Sequence, residues 1–396
     1  MPRKAEGNAT TSTPLSPTRT QSALRSLRTQ IDKLDAQIVK LINERASVAA
    51  EIGKLKNDHG EEVFSPAREE EVLQHVLQLH EKAKGPLDAG TIRAVFREIM
   101  SGSRALQKVL KVAYLGPEYS YSHLAAIDRF GQAVEFLGVN NIAAVFEEVD
   151  RGHVDFGVVP VENSTDGRIA DTLEMFLRMP HLVICAEVRL QIHHHLMAKC
   201  EPQEIRRVYS KPQALSQCRN WLAKNLPQAL MKEVSSTATA AELAQHEPGA
   251  AAIASRQAAV KYGLRILFDN IEDSPYNETR FAVIGHQKSG KTGHDKTTIV
   301  FRIPHQPGSL AEALEIFKQN KINLTWIESF PGPRRATGES AEEKASTKAP
   351  KPEYLFFVDL EGHVEDPKVK RALQQLGEHC QEVMVLGSYP AALTSG

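Results

Sequence analysis

At 396 residues the chain is too long for one ordinary hydrophobic core and suits two to four domains. Lys plus Arg number 48 and Asp plus Glu 49, a formal charge of −1, so no global field draws it to nucleic acid or an anionic membrane. No apolar run reaches the ~20 residues needed to span a bilayer, and Cys185, Cys200, Cys218 and Cys380 form no CxxC pair, which argues against a zinc site or disulfide framework and fits a reducing cytoplasm.

Residues 1–21 are rich in Thr, Ser, Pro and charge and are expected to be a disordered leader, not a secretory signal. Glu6 and the lack of a helical apolar face count against a transit peptide. From Leu24, apolar residues recur in steps of three and four through Leu27, Ile31, Leu34, Ile38, Leu41, Val48, Ile52 and Leu55, which predicts a long helix packed on other helices, a second subunit among the candidates. The missed beat is Arg45. Lys56 lies eleven residues on, on the same face and about 16 Å along the axis, so two cationic arms can close on one small dianion. The plain alternative for Arg45 is a buried ion pair or a snorkelling side chain. Arg28 sits about 100° away on the wheel and points elsewhere, where it can serve a neighbouring protomer. Helices are expected over Ser65–Ala83, with Arg68 and Glu69 in the first turn, and over Leu87–Leu110.

The run LRTQIDKLDAQIVKLINER, then EIGKLK, a basic-acidic pair and a distal Gln, makes residues 22–110 resemble the all-helical chorismate mutase domain, an intertwined dimer in that family. The resemblance implies a site lined by Arg45, Lys56, Arg68, Glu69, Ser103 and Gln107, with Arg28 from the partner. Those residue types suit a pericyclic rearrangement that needs no base, nucleophile or metal. Arginines clamp two carboxylates in the reactive geometry, and Lys56 with Gln107 can donate hydrogen bonds to the ether oxygen as its charge grows.

After Lys111 strands alternate with helices. Val112–Leu115, Phe156–Pro160, Val208–Ser210 and Ala251–Ala254 read as buried strands, several ending in polar junctions such as Glu162-Asn163-Ser164-Thr165-Asp166-Gly167. Such a turn entering a helix can attract an anion but is more often simply a cap. His193-His194-His195 is not expected to bind metal, because adjacent strand side chains face opposite ways. The order GPEYSYSHLAA, GVVPVENSTDG, LQIHHHL, VYSKPQALSQC, SSTATAAELA, AAIAS, YGL and NIEDSPYNETRF makes residues 111–286 resemble prephenate dehydratase, a bilobal, periplasmic-binding-protein-like α/β fold. Tyr119 departs from the family's glycine-rich turn. The match implies Thr279 as the principal catalytic residue, helping the ring hydroxyl leave as water, with Asn163, Ser164, Ser210, Gln217, Arg280 and Phe281 in or beside the cleft. Arg280 is expected nearer the pyruvyl carboxylate, since a cation held tightly on the departing carboxylate would stabilise the ground state.

From Thr297 the elements read βαββαβ, an α+β ferredoxin-like plait over residues 297–390. Gly308-Ser309-Leu310 and Glu328-Ser329-Phe330-Pro331 resemble the two motifs of the phenylalanine-binding ACT domain, with Phe330 where Arg is usual. The charged segment 332–352 is expected to be a disordered insert. The expected protein is therefore multidomain and cytoplasmic, a homodimer or homotetramer without cofactor or metal. It would convert chorismate to prephenate and prephenate to phenylpyruvate, under feedback by phenylalanine. Arogenate dehydration and a non-catalytic amino-acid sensor are the alternatives.

Overall fold

The computed structural model describes residues 17–60, 62–331 and 354–392. Of the leader expected over 1–21, positions 1–16 lie outside the described residues and 17–21 belong to the first helix; the insert expected over 332–352 lies wholly outside them.

Three helices come first: α1 (Pro17–Asp58), α2 (Pro66–Ala83) and α3 (Ala89–Ala105). Ser65 caps α2 ahead of Pro66, and Asp88 caps α3 by accepting the Thr91 N–H at 2.8 Å. Only the C-terminal part of α1 gains cover from α3. Its apolar seam is open, with Leu27 54%, Leu41 63% and Leu55 62% exposed.

The next segment builds a sheet from β1 (Lys111–Leu115), β2 (Glu135–Val139), β3 (Phe156–Asn163), the short β4 (Gly167–Arg168) and β5 (Val183–Gln191), interleaved with α4 (Tyr121–Phe130), α5 (Ile142–Asp150) and α6 (Ala170–Arg178). The chain then crosses to a second sheet: β6 (His195–Ala198), β7 (Arg207–Ser210), α7 (Pro212–Gln217), α8 (Arg219–Asn225), β8 (Leu230–Glu233), α9 (Thr237–His246), β9 (Ala250–Ala254), α10 (Arg256–Tyr262) and β10 (Arg265–Phe268). It returns to the first sheet as β11 (Glu278–Gly285), giving the orders β2-β1-β3-β11-β5 and β10-β6-β9-β7-β8. In the second lobe β9 is central and entirely small or aliphatic, so the alanines of α9 lie close upon it.

The two crossings are tied together. Ile192 N–H donates to Asn277 O (2.7 Å), Ile271 N–H to His194 O (2.8 Å), and the Glu272 carboxylate receives the His194 N–H (2.9 Å) and the His193 ring (2.8 Å).

The last segment is β12 (Asp295–Arg302), α11 (Ser309–Gln319), β13 (Leu324–Pro331), β14 (Tyr354–Glu361), α12 (Pro367–His379) and β15 (Glu382–Pro390), with antiparallel sheet order β13-β14-β12-β15. One face is covered by α11 and α12, and the other lies on the first lobe, where Val300, Leu355, Phe357, Leu386 and Tyr389 join the core of β3, β5, α5 and α6. The approach is tight enough that a Cβ at Gly387 would lie 2.1 Å from the Ile184 carbonyl oxygen.

Candidate active sites

Between the two lobes lies a cavity of about 610 Å³, bordered by the N-terminal turns of α4 and α9 with Ser120, Ser122, Ser236 and Thr237 on its wall. The positive ends of two helices from opposite lobes thus face one space. Thr279 and Phe281 line it from β11, Asn163 from the end of β3, and Gln217 from the end of α7.

Asn163, Asn277, Gln217 and Thr165 form a closed ring in which every member donates to the next. Asn163 Nδ2 donates to Asn277 Oδ1 (2.9 Å), Asn277 Nδ2 to Gln217 Oε1 (2.8 Å), Gln217 Nε2 to Thr165 Oγ1 (2.6 Å), and Thr165 Oγ1 to Asn163 Oδ1 (2.6 Å). The amide orientations follow from partners with one possible role. Asn163 Oδ1 receives the backbone N–H groups of Thr165 and Asp166 (both 3.0 Å), and Gln217 Nε2 faces the Asp166 carboxylate (3.2 Å). A second Asn163 Nδ2 hydrogen therefore reaches Thr279 Oγ1 at 2.8 Å. Since Thr279 accepts there, its own hydrogen is free to donate elsewhere.

The three consecutive histidines diverge. His193 pairs with Glu272 (2.8 Å), His195 with Asp269 (3.1 Å), and His194 Nε2 donates to Gln217 Oε1 at 2.8 Å. Burial pushes the His194 ring pKa down, which keeps it neutral and supporting the ring of amides. Within this site, sequence reasoning missed Asn277, His194 and Thr165. Asn277 was accessible by the period-two rule, standing two residues before Thr279; His194 and Thr165 are brought in only by the lobe crossing and the turn.

Three residues expected in or beside the cleft do not line the cavity. Arg280 is buried on the opposite side of β11 from Thr279, because neighbours on a strand alternate. Its guanidinium bonds Asp359 at 2.6 Å, lies 3.4 Å from both Glu187 and Glu162, and stacks 4.5 Å from the Trp326 ring. Burial alone would lower the Arg280 pKa, but Asp359 and the other anions outweigh it and raise it, so the charge is permanent. Lys296 completes this buried cluster at 2.8 Å from Glu187. Ser210 is buried and donates to Ile253 O (2.7 Å), while Ser164 donates to Tyr276 O (2.8 Å) and accepts Glu278 N–H (2.9 Å); neither lines the cavity. Both staple backbone segments. The turn after Asn163 is likewise capped by that side chain instead of offering open N–H groups.

In the helical segment Arg45 and Arg68 line an open cavity of about 540 Å³ together with Glu71, His75 and Phe96. Arg45 Nη1 donates to Ser103 Oγ at 3.2 Å, and Ser103 in turn to Ile99 O at 2.7 Å. Gln107 lies flat on α1: a Cβ at Gly53 would meet its Cγ at 2.4 Å, and its buried Oε1 has no hydrogen-bond partner among the described residues. Lys56 Nζ donates to Glu62 O (2.9 Å) and does not line the Arg45 cavity. Arg28 is exposed and about 26 Å along α1 from Arg45. Glu69 does not join this group. Consecutive helix residues point about 100° apart, so with Arg68 on the cavity side, paired with Glu71 at 2.9 Å, Glu69 turns to the next segment, bonding Arg104 and, at 3.0 Å, Arg129.

Residues 27–108 match the family model for chorismate mutase type II, and residues 112–289 that for prephenate dehydratase. The bifunctional chorismate mutase/prephenate dehydratase of Pseudomonas aeruginosa is 43% identical, covering 94% of this chain and 99% of the relative. That of Aquifex aeolicus is 42% identical over 93% and 98%. The chain belongs to the bifunctional chorismate mutase/prephenate dehydratase family. The crystal structure of prephenate dehydratase from Arthrobacter aurescens in complex with L-Phe superposes with a TM-score of 0.61 at 31% identity, covering 72% of this chain and 90% of that one.

As a member of the bifunctional family, the protein rearranges chorismate to prephenate and then dehydrates and decarboxylates prephenate to phenylpyruvate, in phenylalanine biosynthesis. It is an enzyme, which removes the non-catalytic sensor as an alternative. No helix among the described residues is long and apolar enough to cross a membrane.

Proposed function

We propose that the interlobe cavity is the dehydratase site and that Thr279 delivers the hydrogen bond that lets the ring hydroxyl leave as water. The observation that carries this is the Asn163–Thr279 contact at 2.8 Å. A threonine hydroxyl is a poor acid, yet an N–H donated to its oxygen stabilises the charge that builds there as its proton moves away. The ring that holds Asn163 takes Gln217 from the other lobe, so the donor is aligned only when both lobes are in register. Phe281 supplies the apolar floor on which an aromatic product forms. Exchanging Thr279 for Val should remove phenylpyruvate formation from prephenate while leaving chorismate consumption intact. Full dehydratase turnover in that variant would end this assignment. Running the same assay on arogenate, which carries an amino acid side chain, separates that substrate from prephenate.

The mutase half functions as a homodimer in this reading. The open apolar seam of α1 and the distance of Arg28 from Arg45 both suit a second copy laid along α1, which brings its own Arg28 to the Arg45, Ser103, Arg68 and Gln107 group. Lys56, one turn past Gly53, acts with Gln107 at the ether oxygen. The free thiols of Cys185, Cys200, Cys218 and Cys380 accord with a cytoplasmic enzyme.

The C-terminal plait serves as an ACT-type regulatory unit for phenylalanine, with Gly308-Ser309-Leu310 opening α11 and Glu328-Ser329 on β13. The plait topology and the L-Phe complex of the Arthrobacter aurescens relative support this. Glu328 and Ser329 face opposite sides of β13, so an effector reaches them from different directions. Phe330 packs at 6.0 Å on Phe357 in the plait–lobe core, a use that does not require the usual Arg.

A further inference from the structure

Prephenate is a dianion, and with Arg280 turned away the cavity needs another source of positive charge. Among the described residues that line it, two carry a full positive charge: Arg168, from β4 in the first lobe, and Lys211, at the start of α7 in the second. Asp166 also lines the cavity, but its carboxylate is turned to Gln217. Lys211 is exposed and has no ion pair among the described residues. Arg168 is 41% exposed and gives Nη1 to Glu328 Oε2 at 2.9 Å, so one guanidinium borders the cavity and meets the plait's second motif.

We propose that Arg168 and Lys211 hold the two carboxylates of prephenate, one from each lobe, and that Glu328 of the plait shares Arg168 with the substrate. An arginine fork has five N–H donors, so a single contact to Glu328 leaves donors for a carboxylate in the cavity. The Glu328 charge nevertheless offsets part of the attraction the substrate feels. A substrate held from both sides also reinforces the lobe register that Gln217 already keeps through Asn277 and Thr165. This rests on the cavity being the dehydratase site, as proposed above.

The test is steady-state dehydratase kinetics on the full-length enzyme with Arg168→Gln, Lys211→Gln and Glu328→Gln, alongside Thr279→Val. Arg168→Gln and Lys211→Gln should each raise KM for prephenate about 10- to 100-fold, as expected for loss of one charge-assisted contact. Arg168→Lys and Lys211→Arg should recover most of that loss, which a merely structural role would not predict. Glu328→Gln should lower KM about two- to fivefold by freeing Arg168, and should flatten the dependence of dehydratase rate on phenylalanine. If both glutamine variants keep KM within about twofold of the wild type while Thr279→Val is inactive, the two-cation proposal is wrong and the cavity assignment stands. Should Thr279→Val remain active, the cavity assignment falls and takes this proposal with it. A Glu328→Gln enzyme with lowered thermal stability and unchanged KM would refute the sharing of Arg168.

Discussion

Replacing Arg280 by Met removes the charge from the cluster between the dehydratase lobe and the plait while keeping an apolar side chain against Trp326. Asp359, with no exposed surface, would retain among the described residues only the Thr298 hydroxyl at 2.7 Å and Lys296 at 3.6 Å. Glu187 would retain Lys296 at 2.8 Å and Arg189 at 3.1 Å. Removing one partner of a buried pair costs about 3–5 kcal/mol because the other charge stays buried, and Lys296 places this case near the lower end. At roughly 2–4 °C per kcal/mol for a domain of 150–250 residues, the unfolding midpoint of the dehydratase–plait unit should fall about 6–12 °C in calorimetry. Adding Asp359→Asn should recover part of the loss, since the double variant no longer strands that carboxylate. Below the transition, KM for prephenate should stay within about threefold and the mutase rate should be unchanged, because the guanidinium does not reach the cavity. An unchanged midpoint together with a tenfold or larger rise in KM would refute this placement of Arg280 and restore it as a substrate ligand.

Mixing Arg28→Ala and Arg45→Ala enzymes, each inactive as a mutase, should restore about a quarter of wild-type activity, since half the dimers formed by random exchange contain one intact site. No recovery after subunit exchange would exclude a shared site. Acid stability tests the same ion cluster from another side. Burial pushes the Glu187 carboxyl up, but Lys296, Arg280 and Arg189 outweigh it and hold it at about 2, against an ordinary value of 4.5. A carboxyl with a depressed folded pKa stabilises the fold above its ordinary value, and that contribution is lost as pH falls from about 4.5 through 2. The loss is on the order of 3 kcal/mol. Glu187→Gln should be less stable than wild type at pH 7 and show a shallower fall in unfolding midpoint across that window. Parallel pH profiles would show that Glu187 carries no such shift.

The sequence by itself determined the element order, because periodicity is local: steps of three and four over 27–55, buried runs at 156–160 and 251–254, and cap residues such as Ser65 mark helices and strands without reference to the rest of the chain. It also determined the family, since ordered strings such as GVVPVENSTDG and NIEDSPYNETRF are specific in combination. Strand and helix periods part neighbouring side chains, but which face meets the cavity was decided only by tertiary structure. Thr279 and Arg280 are adjacent in NETRF, yet one lines the cavity and the other anchors the plait; Arg68 and Glu69 part in the same way on α2. A motif specifies neighbours along the chain, while a site is made of neighbours in space. The ring joining Asn163, Thr165, Gln217 and Asn277 closes only because the lobes cross twice, and Arg168 meets Glu328 only because the plait lies on the first lobe.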